Sequence, residues 1–302
     1  MQITSATAAH NYYHPTPTSP HTTGDIWTGL PTHSLLGLST CAGLVITPAC
    51  DLANYKADVV TYLPIVSLGH FLSMPALYNE VRSSLMAALD TLSISGVTDL
   101  LPKSRLPEDF DLNQVDKKLG SLVKLNAKQQ DTMDRCKDGI NYLRVIVTSS
   151  SGQRDVADIP RMLSSVLPAK DWKRIRSGII TNAFRPDIHF LPADSQHSEW
   201  SAVPDHSVVL FRYPMSIPVA LLDTAAATPV DDWSKTVDIL KQQLPCAEYF
   251  RNSRPLKSAR VRQPFLGDIL TRFVGLYVRL GSPDFTNETV DAFATAIGGA
   301  SS

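Results

Sequence analysis

The segment GLVITPACDL, residues 43–52, divides in two. Gly43 to Thr47 is an apolar run rich in β-branched residues and reads as a buried strand. Pro48 ends it, because proline has no N–H to donate to a ladder. A strand needs partners, and both flanks supply one. Upstream, GDIW at 24–27 starts a short strand. Downstream, DVVTYLPI at 58–65 alternates partly between polar and apolar positions. This pattern predicts a small β-barrel and a following helix over 24–92, the helix starting near Ser73 with Pro75 just inside. Leu77, Val81, Leu85, Leu89 and Leu92 share one face of that helix at the 3.6-residue period.

The second half of the segment sets a thiol beside a carboxylate, Cys50-Asp51, followed by Asn54 and Lys56. Three readings stay open. A cysteine nucleophile needs a thiolate and a histidine within hydrogen-bond reach, and His70, His189 and His206 qualify by type alone. A metal site would draw on Cys41, Cys50, Asp51 and His70, but Cys-x8-Cys is not a zinc spacing. In the structural reading, Asp51 folds back on backbone amides in an Asx-turn, Asn54 does likewise, and Lys56 lies alongside as counter-charge. The catalytic candidates within this turn are therefore Cys50 and Asp51.

Beyond the barrel, residues 93–111 contain LPKSRLPEDFD and read as a linker. Residues 112–302 read as a mainly helical α+β body. Helices are expected at 113–125, 127–148, 156–167, 169–183, 230–250, 264–280 and 287–297, with a loop SSSGQRD at 149–155. A second short β region falls at 187–191 and 208–213. Cys136 sits on a buried helical stripe with Met133, Ile140, Leu143 and Val147. Residues 1–23, rich in Thr, Ser, Pro and His, read as a flexible arm, and His10, His14 and His21 within it as solvated or metal-binding.

Composition excludes several classes. Of 302 residues 43% are hydrophobic and 19% charged, which argues against wholesale disorder. With 28 basic and 29 acidic residues, a net charge of −1 gives no global attraction to nucleic acid or membrane. No apolar run is long enough to span a bilayer, and the N-terminus has no signal-peptide pattern, so no membrane association is expected. Four cysteines without a CxxC pair suit reduced thiols in a cytoplasm. No cofactor is implied by any motif.

The order GDIW, an apolar strand ending in Thr47-Pro48, and a strand closing in Pro64-Ile65 resembles the opening of the PemK/MazF-type toxin barrel. The resemblance covers the first seventy residues only. It implies a small SH3-like barrel ahead of the helical body, and metal-free cleavage of single-stranded RNA, with Thr47 at the family's functional Ser/Thr position. The family's Arg-Pro before that strand is replaced by Cys41-Ala42-Gly43, which leaves out its general acid and phosphate clamp. A role in bacterial defence would follow from the resemblance alone.

Two stretches are cationic. Residues 170–185 hold Lys170, Lys173, Arg174, Arg176 and Arg185 against Asp171, and residues 251–279 hold Arg251, Arg254, Lys257, Arg260, Arg262, Arg272 and Arg279 against only Asp268. Arginine suits phosphate because its planar fork donates two parallel bonds. Either the runs form a polyanion footprint or they are ordinary solvated and paired charges. Trp27, Trp172, Trp200 and Trp233 are spread out and read as core or interface anchors rather than base-stacking platforms.

The leading expectation is a cytoplasmic protein directed at RNA or DNA, with Lys56, Lys173, Arg174, Arg260, Arg262 and Arg272 holding phosphate. One alternative is a non-enzymatic adaptor or subunit that docks a protein partner or a second copy of itself. The other is a hydrolase centred on Cys50.

Overall fold

The structure is a computed structural model that describes residues 12–15, 20–33, 35–147, 158–194, 203–278 and 286–298. The rest of the arm, the 149–155 loop, Trp200 and Arg279 lie outside the described residues. In chain order the elements are β1 Tyr13–Pro15, β2 Asp25–Pro31, β3 Thr40–Val45, α1 Ala49–Ala53, β4 Val59–Ser67, α2 Leu68–Ser73 and α3 Tyr78–Thr91. Then come α4 Asp109–Gly120, α5 Ala127–Val147, α6 Ile159–Val166, α7 Ala169–Ile180, β5 Ile188–Leu191, β6 Ser207–Leu210 and β7 Met215–Pro218. The chain finishes with α8 Val219–Ala227, α9 Trp233–Leu240, β8 Leu256–Val261, α10 Gln263–Tyr277 and α11 Asn287–Gly298.

The class is α+β, built on one open sheet with every strand pair antiparallel. Its order is β1-β8-β2-β3-β4-β6-β5, and β7 pairs with the first half of β4. The three strands expected to open a barrel are thus neighbours at the centre of the sheet. They do not close on one another, because β8 lies along the free edge of β2 and β6 and β7 share that of β4. Strands from both sides of the 93–111 segment therefore lie in the same sheet.

Alternation along the strands buries both faces. On one face Trp27, Val45, Tyr62, Val66, Val208 and Leu210 meet the helical layer, where Val81, Leu85, Leu89, Cys136, Ile140, Leu143 and Leu163 interlock. On the other, Ile26, Leu44, Leu63, Ile65, Val209 and Phe211 meet Leu266 and Ile269 of α10. The period-2 pattern of the strands and the 3.6 pattern of the helices face the same two cores. Cys136 is fully buried, as its stripe predicts, and burial pushes its thiol up to about 11.

Two glycines permit this arrangement. A Cβ on Gly43 would stand 2.5 Å from Tyr62 Cδ2 and 2.6 Å from Leu30 Cδ1, so only glycine lets the tyrosine ring cross β3. Gly29 takes φ +72 within the irregular register between Trp27 and Leu30, where a side chain would meet Ser253 and Arg254.

Several expectations need correction. Tyr13–Pro15, placed in the arm, pair with β8, and Tyr12 and Tyr13 are buried. The helix expected at 230–250 stops at Leu240, and a 3-10 turn, Pro245–Phe250, follows where proline cannot continue the α-helical ladder. The helix expected from Ser73 starts as α2, capped by Ser67, and restarts as α3 after a 3-10 turn at Pro75–Leu77. β7, α8 and β8 were not anticipated.

Candidate functional site

Thr47 follows β3 with its hydroxyl oxygen already accepting a backbone bond. Its Oγ1 accepts from the Thr61 amide at 2.7 Å, and its carbonyl accepts from Thr23 Oγ1 at 2.7 Å. The residue is 8% exposed and ties β2, β3 and β4 together. Pro48 then starts α1, and the Cys50-Asp51 turn is helical. Asn54 Nδ2 donates to the Cys50 carbonyl at 2.6 Å, and the Lys56 amide donates to the Asp51 carbonyl at 2.8 Å. The Asp51 carboxylate lies 3.6 Å from the Cys50 thiol.

No candidate histidine stands against Cys50. His70 Nε2 bonds the Leu36 carbonyl at 2.8 Å, His189 Nε2 bonds Tyr12 Oη at 2.7 Å, and His206 Nδ1 accepts from the Ala193 amide. Cys41 is buried on β3, where burial pushes its thiol up to about 12. Among the described residues no group of three or more His, Cys, Asp or Glu side chains is placed to hold a metal.

The arginines of the 251–279 run are absorbed by the fold. Arg260 Nε donates to Asp25 Oδ1 at 2.7 Å, Arg262 Nε to the Tyr13 carbonyl at 3.0 Å, and Arg272 Nη2 to the Asn182 carbonyl at 2.7 Å. Arg254 reaches the carbonyls of Ala225 and Thr228, and Arg251 joins Asp238 and Glu248. Arg185, from the other run, clamps Asp187 through two bonds at 2.9 and 2.7 Å.

The cations of α7 differ. Lys170, Lys173 and Arg174 are exposed, and the one ion pair among them, Arg174 to Asp171 at 3.8 Å, is a solvent-exposed i,i+3 contact. Such pairs contribute little and are readily given up. Arg174 opens onto a groove of about 810 Å3 between α3, α5 and α7, which also takes in Lys128 and Arg135. Arg135 spends two of its five N–H donors on the carbonyls of Ser165 and Val166. Asn79 and Ser83 line the same floor, and Glu80 is its acidic member besides Asp171.

A second concavity, of about 880 Å3, opens where α1 faces α8 and the start of β8. Leu52, the last residue of GLVITPACDL, lines it together with Ala53 and Tyr55 just after the segment. Lys56 is exposed beside Tyr55. Sequence reasoning missed both concavities, since each is assembled from stretches far apart in the chain. The KDWKRIR run was the visible part of the groove.

No known family, curated protein or solved structure matches this chain. No described helix is long and apolar enough to cross a membrane.

Proposed function

We propose that the protein is directed at nucleic acid, RNA or DNA, in the cytoplasm, and that its phosphate contact is the groove between α3, α5 and α7. The observation that carries this reading is the convergence of Lys128, Arg135 and Arg174 from two helices on one groove, with Lys170 and Lys173 on the flank of α7. Exposed cations such as Lys170, Lys173 and Arg174 displace the counterions condensed on the phosphates they meet, so binding is salt-dependent. The hydroxyl of Ser83 and the amide of Asn79 add neutral donors of the kind that position a backbone without reading its sequence. Lys56 stands apart from this groove on the α1 loop and is not needed for it.

A gel shift with labelled single-stranded RNA and DNA at two salt concentrations tests the reading. Wild type is expected to bind, and Lys173→Gln with Arg174→Gln to flatten the plot of log affinity against log salt by about 1.4, the value for two single-strand phosphate contacts. Both residues are exposed, so folding is unaffected. No shift at low salt, or an unchanged slope in the double variant, would overturn the groove assignment. Cleavage bands in chelator-containing lanes would support the toxin-like form of the same reading.

A further inference from the structure

The antiparallel pairing of β5 with β6 sets Ile188 opposite Leu210, and the Phe211 amide continues the ladder to the Asp187 carbonyl at 2.9 Å. The residues before β5 and after β6 are thereby brought to one end of the pair, Arg185 and Asp187 from one strand and Arg212 and Tyr213 from the other. With Met74, Pro75 and Ala76 between α2 and α3 they line a pocket of about 310 Å3. This volume stands at the small end of the roughly 300–1,000 Å3 usual for small-molecule sites.

Asp187 is the buried anchor, with a side chain only 6% exposed. A carboxylate taken out of water has to be paired and hydrogen-bonded. Arg185 does both alone: Nε donates to Oδ1 at 2.9 Å and Nη2 to Oδ2 at 2.7 Å. Arg212 adds a third bond, from Nε to Oδ2 at 2.7 Å. Burial works to raise the carboxyl, but the bonds from Arg185 and Arg212 prevail and hold it below its ordinary value, so it is charged. Two guanidiniums thus share one carboxylate, and the set carries one positive charge in excess.

The excess falls on Arg212. The Asp187 carboxylate first, and Glu80 after it, hold Arg185 in its charged form. Among the described residues Arg212 has no ion pair except that with Asp187. Its side chain is 62% exposed, and only one of its five N–H donors is used. The bond from Nε already orders the planar guanidinium, so the four donors on Nη1 and Nη2 lose less freedom when an anion takes them. Tyr213 adds a hydroxyl that has no hydrogen-bond partner among the described residues. The α2–α3 side of the pocket is apolar, and a bare inorganic anion would leave it unfilled.

We infer that this pocket binds a small organic monoanion, a carboxylate carried on an aryl or short alkyl body. The carboxylate accepts from the free Nη groups of Arg212 and from the Tyr213 hydroxyl, and the body lies against Met74, Pro75 and Ala76. One negative charge balances the one in excess, which favours a carboxylate over a dianionic phosphate. The pocket shares no lining residue with the α3–α5–α7 groove, so either assignment can fail while the other stands.

Calorimetric titration of the full chain in low-chloride buffer with benzoate, benzamide, acetate and inorganic phosphate tests it. Benzoate should saturate. Benzamide, which keeps the ring without the charge, should bind at least about tenfold more weakly. Acetate and phosphate, which keep the charge without the ring, should fall behind by at least about the same factor. Arg212→Gln leaves Asp187 with both bonds from Arg185, so the buried carboxylate stays paired, and benzoate binding should drop about tenfold. The ranking of the four probes on the wild type decides by itself if the variant does not fold. Four results would each overturn the inference: no saturation by benzoate up to about 10 mM, benzamide binding as tightly as benzoate, acetate or phosphate doing so, or undiminished binding in Arg212→Gln.

Discussion

Asp25 gives the sharpest test of how the sheet is held together. Its side chain is fully buried in β2, opposite Arg260 of β8 in the antiparallel register. Oδ1 accepts from Arg260 Nε at 2.7 Å and Oδ2 from the Thr22 amide at 2.9 Å, while Lys257 Nζ lies 3.5 Å away. Asp25→Ala would leave one guanidinium and one ammonium without their carboxylate. Breaking a buried pair by removing one partner costs about 3–5 kcal/mol. Arg260 is 30% exposed and regains some water, whereas Lys257 at 11% does not, so the low end, about 3 kcal/mol, applies. Unfolding entropy near 2.1 cal/mol/K per residue over 302 residues converts this to a melting point about 5 °C lower. Urea denaturation followed by circular dichroism would read the loss as a shifted midpoint at unchanged slope. Asp25→Asn should lose nearly as much, because its amide cannot neutralise either cation. A loss below about 1 kcal/mol in both variants would refute the reasoning and assign the β2–β8 seam to apolar packing alone.

Two further predictions concern the two faces of the sheet. Burial first, and the nearby Arg272 cation second, hold the His189 imidazole down to about 3. The Asp268 carboxylate stands 3.6 Å from Nδ1, but it is 59% exposed, makes no hydrogen bond to the ring and is too screened to reverse this. The folded state therefore keeps His189 neutral while the unfolded chain protonates it below about pH 6.5, so its contribution is complete above that pH and falls away towards pH 3. Between pH 7 and pH 5, wild type should lose about 2 kcal/mol more than His189→Gln in paired urea titrations, and parallel losses would show the ring to be charged in the fold. For Gly43→Ala the new methyl overlaps Tyr62, which is fully buried and bonded through its hydroxyl to the Pro31 carbonyl. A cost of about 1–3 kcal/mol is expected in the same assay, and an unchanged midpoint would mean that the tyrosine ring moves freely.

The central strands were legible because each writes its burial directly into the chain. The expected 43–47 and 58–65 correspond to Thr40–Val45 and Val59–Ser67. Long helices with clear periods, such as α5 and α10, were also legible. β8 was not, since Lys257 and Arg260 sit in its middle and make it look like a solvated loop. Both approach the one carboxylate of Asp25, more than two hundred positions away, and no local window contains that information. Tyr13 was hidden in the same way: it lies in a stretch rich in Thr, Ser, Pro and His, while its burial is supplied by β8. The second concavity is less visible still, because its lining joins Trp27, Tyr55, Asp223 and Lys257 from far apart in the chain.

The two arginine-rich runs look alike as sequence, and the fold separates them by what each guanidinium already holds. From Arg251 to Arg272 every described arginine bonds a carboxylate or a backbone carbonyl, so this run fastens the C-terminal third onto the sheet and onto the strand at Tyr13. To give such a residue to a phosphate, the protein would have to share or release an acceptor that the residue already holds. Lys173 and Arg174 carry no such debt, because their only competitor is water and one exposed carboxylate. Two cations of equal formal charge therefore differ in their availability to a polyanion. That difference, rather than the count of arginines, is the reason to place nucleic acid on α7 and to leave β8 and α10 to the architecture.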